Sequence, residues 1–326
     1  MPQCFLDFGG FMNKVAGEAL RAFPPPRSRP DYLYHYTKAD ALRKIVESKT
    51  LWASNAYYLN DMSEVEYGCG IAAAAIDKVL IGKTSSAARQ ALQHTQSILQ
   101  DKSQAAIRAQ TIFVACFCEE GNLLSQWREY GRPQGFSLAF KTKNLEHMRP
   151  PGKSLSLALT KVLYRRGKQK KKIEALVNKA AAVLADRNIA GGDFDRFAAK
   201  EVAEKAGEFL SQTLLVLITS LKAPDFAEER EWRLVAQPIY TSFPAQRALS
   251  SAGIRAVVKL RLSQCGLVPY IELSPPRHIA MPELLRKVIC GPTYNPELAH
   301  SAARLLLDSH GFQSVVVDGS KIPVRL

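Results

Sequence analysis

The chain lacks most of the features that decide a protein's class at a glance. No stretch approaches the roughly 20 apolar residues of a membrane span, and residues 1–15 have neither the basic start nor the continuous apolar run of a signal peptide. These absences lead to the expectation of a cytoplasmic protein in a reducing compartment, with no membrane partner. Six cysteines (Cys4, Cys69, Cys116, Cys118, Cys265 and Cys290) never take a C-x-x-C spacing, and no two of the six histidines stand i, i+4 apart. A zinc finger, a disulfide framework and a helical metal site are therefore not expected. G-x-G-x-x-G, G-x-x-x-x-G-K-[ST] and G-x-S-x-G are also missing, which removes support for a Rossmann dinucleotide site, a P-loop and a hydrolase elbow.

What remains is a globular composition with a strong positive bias. The 326 residues are 47% hydrophobic, enough for a substantial core. Formal net charge is +14 and the sequence pI is about 9.5, so the surface attracts polyanions such as nucleic acid or an acidic protein. The charge is densest where Lys161, Arg165, Arg166, Lys168, Lys170, Lys171 and Lys172 follow one another with no acid between them. Such a block is either a solvated loop and helix start or a phosphate-gripping surface. Tyr164 is its only aromatic residue, which favours the solvated reading, because base readers interleave stacking rings.

Residues 1–30 read as an amphipathic or frayed lead-in and a linker closed by Pro24-Pro25-Pro26, with the globular part beginning near Asp31. Tyr32–Thr37 is a short aromatic strand. Thr37 and Asp40 are placed as a capping box for a helix that carries Ala41, Leu42, Ile45 and Val46. A second strand, 51–54, exits through Asn60-Asp61-Met62-Ser63-Glu64, where Asp61 or Ser63 caps the next helix and Glu64 lies in its first turn. Helices to about Ile81 and over 85–108 read as scaffold. The continuously apolar 111–118 is a strand buried on both faces, followed by a short helix over 123–131 and a strand over 135–140. A strand is expected over 155–164, helices over 173–187 and 193–220, and then a strand on which Glu231 and Arg233 share one face and Trp232 and Leu234 the other. Strands at 256–262, 269–273, 287–290 and 314–317 and a helix over 296–309 complete an α+β fold. Residues 31–326 form one domain with a mixed or antiparallel sheet core and helical insertions near 60–108 and 168–221.

Few groups in this chain can carry chemistry. His35 is the only histidine within an expected strand, set among aromatic rings. Glu231 either pairs with Arg233 on its own strand face or stabilises a developing positive charge in a cleft. Trp127 and Tyr130 fill core or line a pocket wall. Cys116 and Cys118 share a strand face as small buried hydrophobes.

Four blocks resemble a bacterial family known as domain of unknown function 2971. They are Leu33-Tyr34-His35-Tyr36-Thr37; Leu51-Trp52-Ala53-Ser54 with Leu59-Asn60-Asp61 and Glu64; Cys116-Phe117-Cys118 with Trp127, Tyr130 and Gly135-Phe136; and Glu231-Trp232-Arg233 with Ser320-Lys321-Ile322-Pro323. Cys118 stands where a serine is expected and Val324 where an aromatic is usual. The first block also resembles the opening motif of ADP-ribosyltransferase-like folds. That resemblance implies a sheet core of this type and NAD as a substrate. It implies that His35 holds a ribose hydroxyl, that Tyr57 or Tyr58 stacks on nicotinamide, and that Glu231 stabilises the cationic ribose, with Tyr36, Thr37 and Asn60 beside them. The expected function is an NAD-dependent ADP-ribosyltransferase-like enzyme, a toxin or antiphage effector acting on a nucleic acid or protein. The alternatives are a nucleic-acid-binding protein that uses the basic run and, more remotely, a metal-dependent nuclease built on Asp61, Glu64 and Glu231.

Overall fold

The computed structural model describes residue 10 and residues 12–19, 28–58, 63–101, 112–130, 134–151, 155–185, 196–238, 257–263 and 266–323. The linker prolines, Asn60, Asp61 and the stretch 102–110 lie outside the described residues. The strands are β1 (Tyr32–Lys38), β2 (Leu51–Asn55), β3 (Phe113–Cys118), β4 (Gly135–Lys141), β5 (Leu155–Lys161), β6 (Glu231–Pro238), β7 (Lys259–Ser263), β8 (Gly266–Leu273), β9 (Leu285–Cys290) and β10 (Val316–Gly319). The helices are α1 (Ala39–Ser48), α2 (Ser63–Ile81), α3 (Ser86–Gln100), α4 (Leu124–Tyr130), α5 (Thr142–Leu145), α6 (Arg166–Ala185), α7 (Arg196–Ile218), α8 (Met281–Leu284) and α9 (Pro296–Ser309). Among the described residues these strands form a single sheet in the order β10-β9-β4-β1-β3-β2-β8-β7, with β6 also paired to β3 and β5 beyond it. Among the described strands only β9 and β10 pair in parallel, so the sheet is mixed and mostly antiparallel.

Both faces of the sheet are covered, which accounts for the continuously apolar reading of β3. On one face α2, α3, α6 and α7 enclose a core of Ile76, Leu92, Leu176, Leu210 and Leu214, into which β3 sends Val114 and β6 sends Val235. On the other, α1 and α9 cover Leu33, Phe117, Phe140, Trp232 and Leu307. The alternation expected for β6 is the one observed: Trp232 and Leu234 enter the second core, and Glu231 and Arg233 turn the other way.

The sheet forks at β3. One edge of β3 pairs with β6 along its whole length, Phe113 opposite Ala236 and Cys118 opposite Glu231. The other edge holds β2 at its start (Ser54 opposite Val114) and β1 only at its end (Tyr34 opposite Cys118). From there β1 departs with β4 and β2 with β8, and residues 115–117 of β3 face the opening between them.

Several expectations change in the folded chain. Thr37 is not a helix cap. The ladder with β4 carries β1 on to Lys38, opposite Gly135, and buries Thr37; Lys38 then caps α1 with no side-chain bond. Helix α6 starts at Arg166 rather than near Ile173, so most of the basic run is helical, in keeping with the good helix propensity of Arg and Lys. The last strand lies at 316–319, where it pairs with β9. Residues 12–19 are helical and bury Val15 in the helix-side core, so packing begins well before Asp31.

Candidate functional site

His35 stands at the mouth of the fork. Its Nδ1 is 2.9 Å from the carbonyl oxygen of Cys116, a group that has no strand partner on that side, so Nδ1–H is the donor and Nε2 carries the free lone pair. Burial depresses its pKa, the Cys116 contact works against that, and the nearby Arg261 guanidinium depresses it further; the ring is neutral near pH 7. Arg261 reaches across from β7 to donate to the Ser54 hydroxyl at 3.1 Å, so both arms of the fork contribute polar groups here. His35 also lies 5.8 Å from the Phe117 ring.

Glu231 opens β6 within a buried charge cluster. Arg233 donates to it through Nε (2.7 Å) and Nη2 (2.9 Å), and the same Nη2 reaches Glu64 at 2.6 Å. Arg233 Nη1 donates to the Thr219 carbonyl at 2.8 Å. Lys222 lies among three carboxylates, 2.7 Å from Glu229, 3.0 Å from Glu64 and 3.3 Å from Glu231. Three acids therefore face two bases, and the cluster carries one surplus negative charge. Burial alone would raise the Glu231 pKa, but Arg233, Lys222 and the Cys116 thiol outweigh it and hold it at about 2. Burial pushes Glu229 upward. Glu64, expected as a first-turn acid or, more remotely, as part of a nuclease site, is a buried ion-pair partner.

The family-like blocks converge beside this cluster. Tyr34, Cys118 and Glu231 form a cross-strand row over β1, β3 and β6. Tyr36, Trp127 and Ile289 pack on Cys118, with Tyr34, Tyr130, Leu123 and Ile322 around them. The Tyr36 hydroxyl donates to the Glu120 carbonyl (2.9 Å) and accepts from Leu123 N–H (2.8 Å), and its ring meets Trp127 edge-on at 4.8 Å. Asn122 Oδ1 accepts from both Trp127 Nε1 (2.8 Å) and Ser320 (2.6 Å), which ties the last block to the third. An alanine at Gly121 would meet the Tyr34 ring at 2.3 Å, so only glycine allows this loop to lie on it.

Strand alternation puts Tyr34 and Tyr36 on the Glu231 face and His35 on the opposite one, toward Phe117. The Cys116 carbonyl takes His35, while its side chain, opposite Arg233, packs against the helix-side core as the small hydrophobe expected of it. Tyr57 packs against the helix-side core and Tyr58 is exposed; Asn60 is outside the described residues. Of the basic run, Lys161 pairs with Glu119 at 2.6 Å and lies over the Trp232 ring, whereas Arg165, Arg166, Lys168, Lys170 and Lys171 are exposed and make no ion pair among the described residues. Lys172 is half-buried. Sequence reasoning missed Lys222 and Arg261 altogether. They come from a helix exit and an edge strand far from the motifs, and no local pattern marks them.

Residues 126–234 match the model of a family described as a protein of unknown function (DUF2971). The match bears out the resemblance to that family and takes in Trp127, Tyr130, the basic run, Glu231 and Arg233. No curated protein and no solved structure matches the chain.

Proposed function

We propose that the chain is an NAD-dependent ADP-ribosyltransferase-like enzyme working at the fork between β1 and β2. The observation that carries this reading is the neutral His35, whose Nδ1–H is committed to the Cys116 carbonyl and whose Nε2 can accept a bond from a ribose hydroxyl. Glu231 supports it. Cleavage of an N-glycosidic bond to a cationic leaving group develops positive charge on the ribose, and an ionised carboxylate in a cluster with one surplus negative charge favours that charge without a metal. The water or acceptor nucleophile then takes the ribose carbon as nicotinamide leaves. Tyr36 and Thr37 act in this reading as the fixed backing of His35, because both are buried.

The test is nicotinamide release from NAD by purified protein, alone and with nucleic acid or cell protein as acceptor. His35→Ala and Glu231→Gln are each expected to lower release by about 100-fold or more, as loss of a positioned polar group at a reacting centre does, while thermal melts show them folded. Absence of both NAD binding and nicotinamide release in the wild type with every acceptor overturns the reading.

A second reading has its own observation. Five exposed cations without ion-pair partners among the described residues lie around the start of α6, where the helix dipole is also positive and no acid occupies the first turn. A polyanion such as nucleic acid relieves that local repulsion, whether as a bound partner or as the acceptor.

A further inference from the structure

We propose that α9 docks a second copy of this chain, pairing antiparallel with the same helix of that copy along an exposed seam of Leu298, Ala302 and Leu305. Helix α9 buries Ala299, Ala303 and Leu307 against the sheet, so its outer side is expected to be polar. It is polar only in part. The charges Glu297, Arg304 and Asp308 fall along one flank, while Leu298, Ala302, Leu305 and Ser309 follow one another at helical spacing beside it and are all exposed. Leu298 is 66% exposed and Leu305 70%. Single apolar residues scattered over a surface need no account, but two leucines seven residues apart with an alanine between them make the seam of a helix pair.

The seam is its own complement. An interface about a twofold axis uses one patch on both copies, so wherever residue i meets residue j, j also meets i. With the axis between Ser301 and Ala302, Leu298 of each copy meets the partner's Leu305, and the two small residues at the centre let the backbones approach. At a rise of about 1.5 Å per residue, Glu297 then stands within about 3 Å of the level of the partner's Arg304, on the flank that the two copies share. A parallel pairing would instead set Glu297 beside Glu297 and Asp308 beside Asp308. Antiparallel pairing also opposes the two helix dipoles. Apolar shape and charge therefore select a second copy and one orientation of it. A single pair of 14-residue helices covers less than the roughly 1,000 Å² of a lasting interface, so the dimer is a weak one, with Kd on the order of 10–100 µM.

Sedimentation equilibrium of the full chain from roughly 5 µM to 1 mM brackets that range, and the wild type is expected to pass from monomer to dimer across it. Leu298→Asp and Leu305→Asp each place a carboxylate in the seam and should raise Kd by about tenfold or more; thermal melts check that these exposed-site variants fold. Orientation is read by cross-linking. Ala302→Cys stands beside the axis and should form a disulfide-linked dimer under mild oxidation, above the wild-type background, whereas Glu297→Cys, about 13 Å from its copy along the helices, should not. A wild type that stays monomeric throughout the range overturns the proposal. So does a dimer that both aspartate variants leave intact, or equal linking through residues 297 and 302.

Discussion

At the scale of single residues, stability and chemistry meet in Arg233. Its guanidinium is almost fully buried and bonds two carboxylates and a carbonyl. Arg233→Met leaves Glu231 and Glu64 with Lys222 alone, and removal of one partner of such a buried group costs about 3–5 kcal/mol; urea titration should show the loss as a lower midpoint. The pH dependence follows the folded-state pKa of Glu231. Because that value is depressed to about 2, its contribution is fully present above the ordinary carboxylate range and lost as pH falls from about 4.5 toward 2. Glu229, raised by burial, opposes this, since its contribution is present at low pH and fades as pH rises. A Glu231→Gln variant should therefore show a flatter decline of thermal stability between pH 5 and pH 2 than the wild type, the interval over which the wild-type carboxylate titrates.

At the scale of elements, two glycines show how the helical layer packs on itself. Gly207 on α7 approaches α3 so closely that a Cβ would lie 2.6 Å from the Ala91 carbonyl oxygen. Thr95 donates to the carbonyls of both Ala91 (2.8 Å) and Gly207 (3.1 Å) at the same crossing. Gly70 on α2 is exposed, with nothing within 4 Å of its Cβ position. Gly207→Ala is expected to destabilise by about 1–3 kcal/mol through the separation it forces, and Gly70→Ala to stabilise by about 0.5–1 kcal/mol through helix propensity. Chemical denaturation of the pair checks both signs. Neither glycine can be ranked from its own helix. The difference lies in what the neighbouring helix places opposite it.

At the scale of the whole molecule, the positive charge is unevenly compensated. Some lysines elsewhere pair with acids, as Lys259 does with Glu272, Lys287 with Asp318 and Lys44 with Asp40. Among the described residues the five exposed cations around the start of α6 have no such partners, yet this end of the helix is anchored. Gln169 is fully buried and donates to the carbonyls of Leu163 (2.5 Å) and Lys222 (2.8 Å), while the Tyr67 hydroxyl donates to it at 2.7 Å. Tyr164, within the run, accepts the Glu231 backbone N–H. The basic end is thus fixed next to the charge cluster, where a polyanion bound to it lies close to the candidate site. Replacing Arg165, Arg166, Lys168, Lys170 and Lys171 by alanine should weaken binding of a fluorescent oligonucleotide uniformly across sequences. It should also lower the salt slope by about one for each phosphate contact removed. Binding with an unchanged slope in this variant would place the polyanion elsewhere.

The sequence by itself determined the features that repeat locally. Period-two alternation set the faces of β6, the apolar run made β3 a central strand, and the spacing of Leu42, Ile45 and Val46 predicted the buried side of α1. It also singled out His35, Glu231 and the blocks that pack together around Cys118, because aromatic and polar residues in a strand stand out against a hydrophobic pattern. Only the tertiary structure decided how strands far apart in the chain share the edges of β3, and hence that a fork exists and that Cys116 has a free carbonyl there. It alone placed Lys222, Glu64 and Glu229 beside the Glu231–Arg233 pair, turning an expected pair on one strand into a buried cluster with one surplus charge. Strand pairing and ion pairing over 160 or more residues depend on which surfaces the whole chain brings together, and no periodicity in any one segment records that.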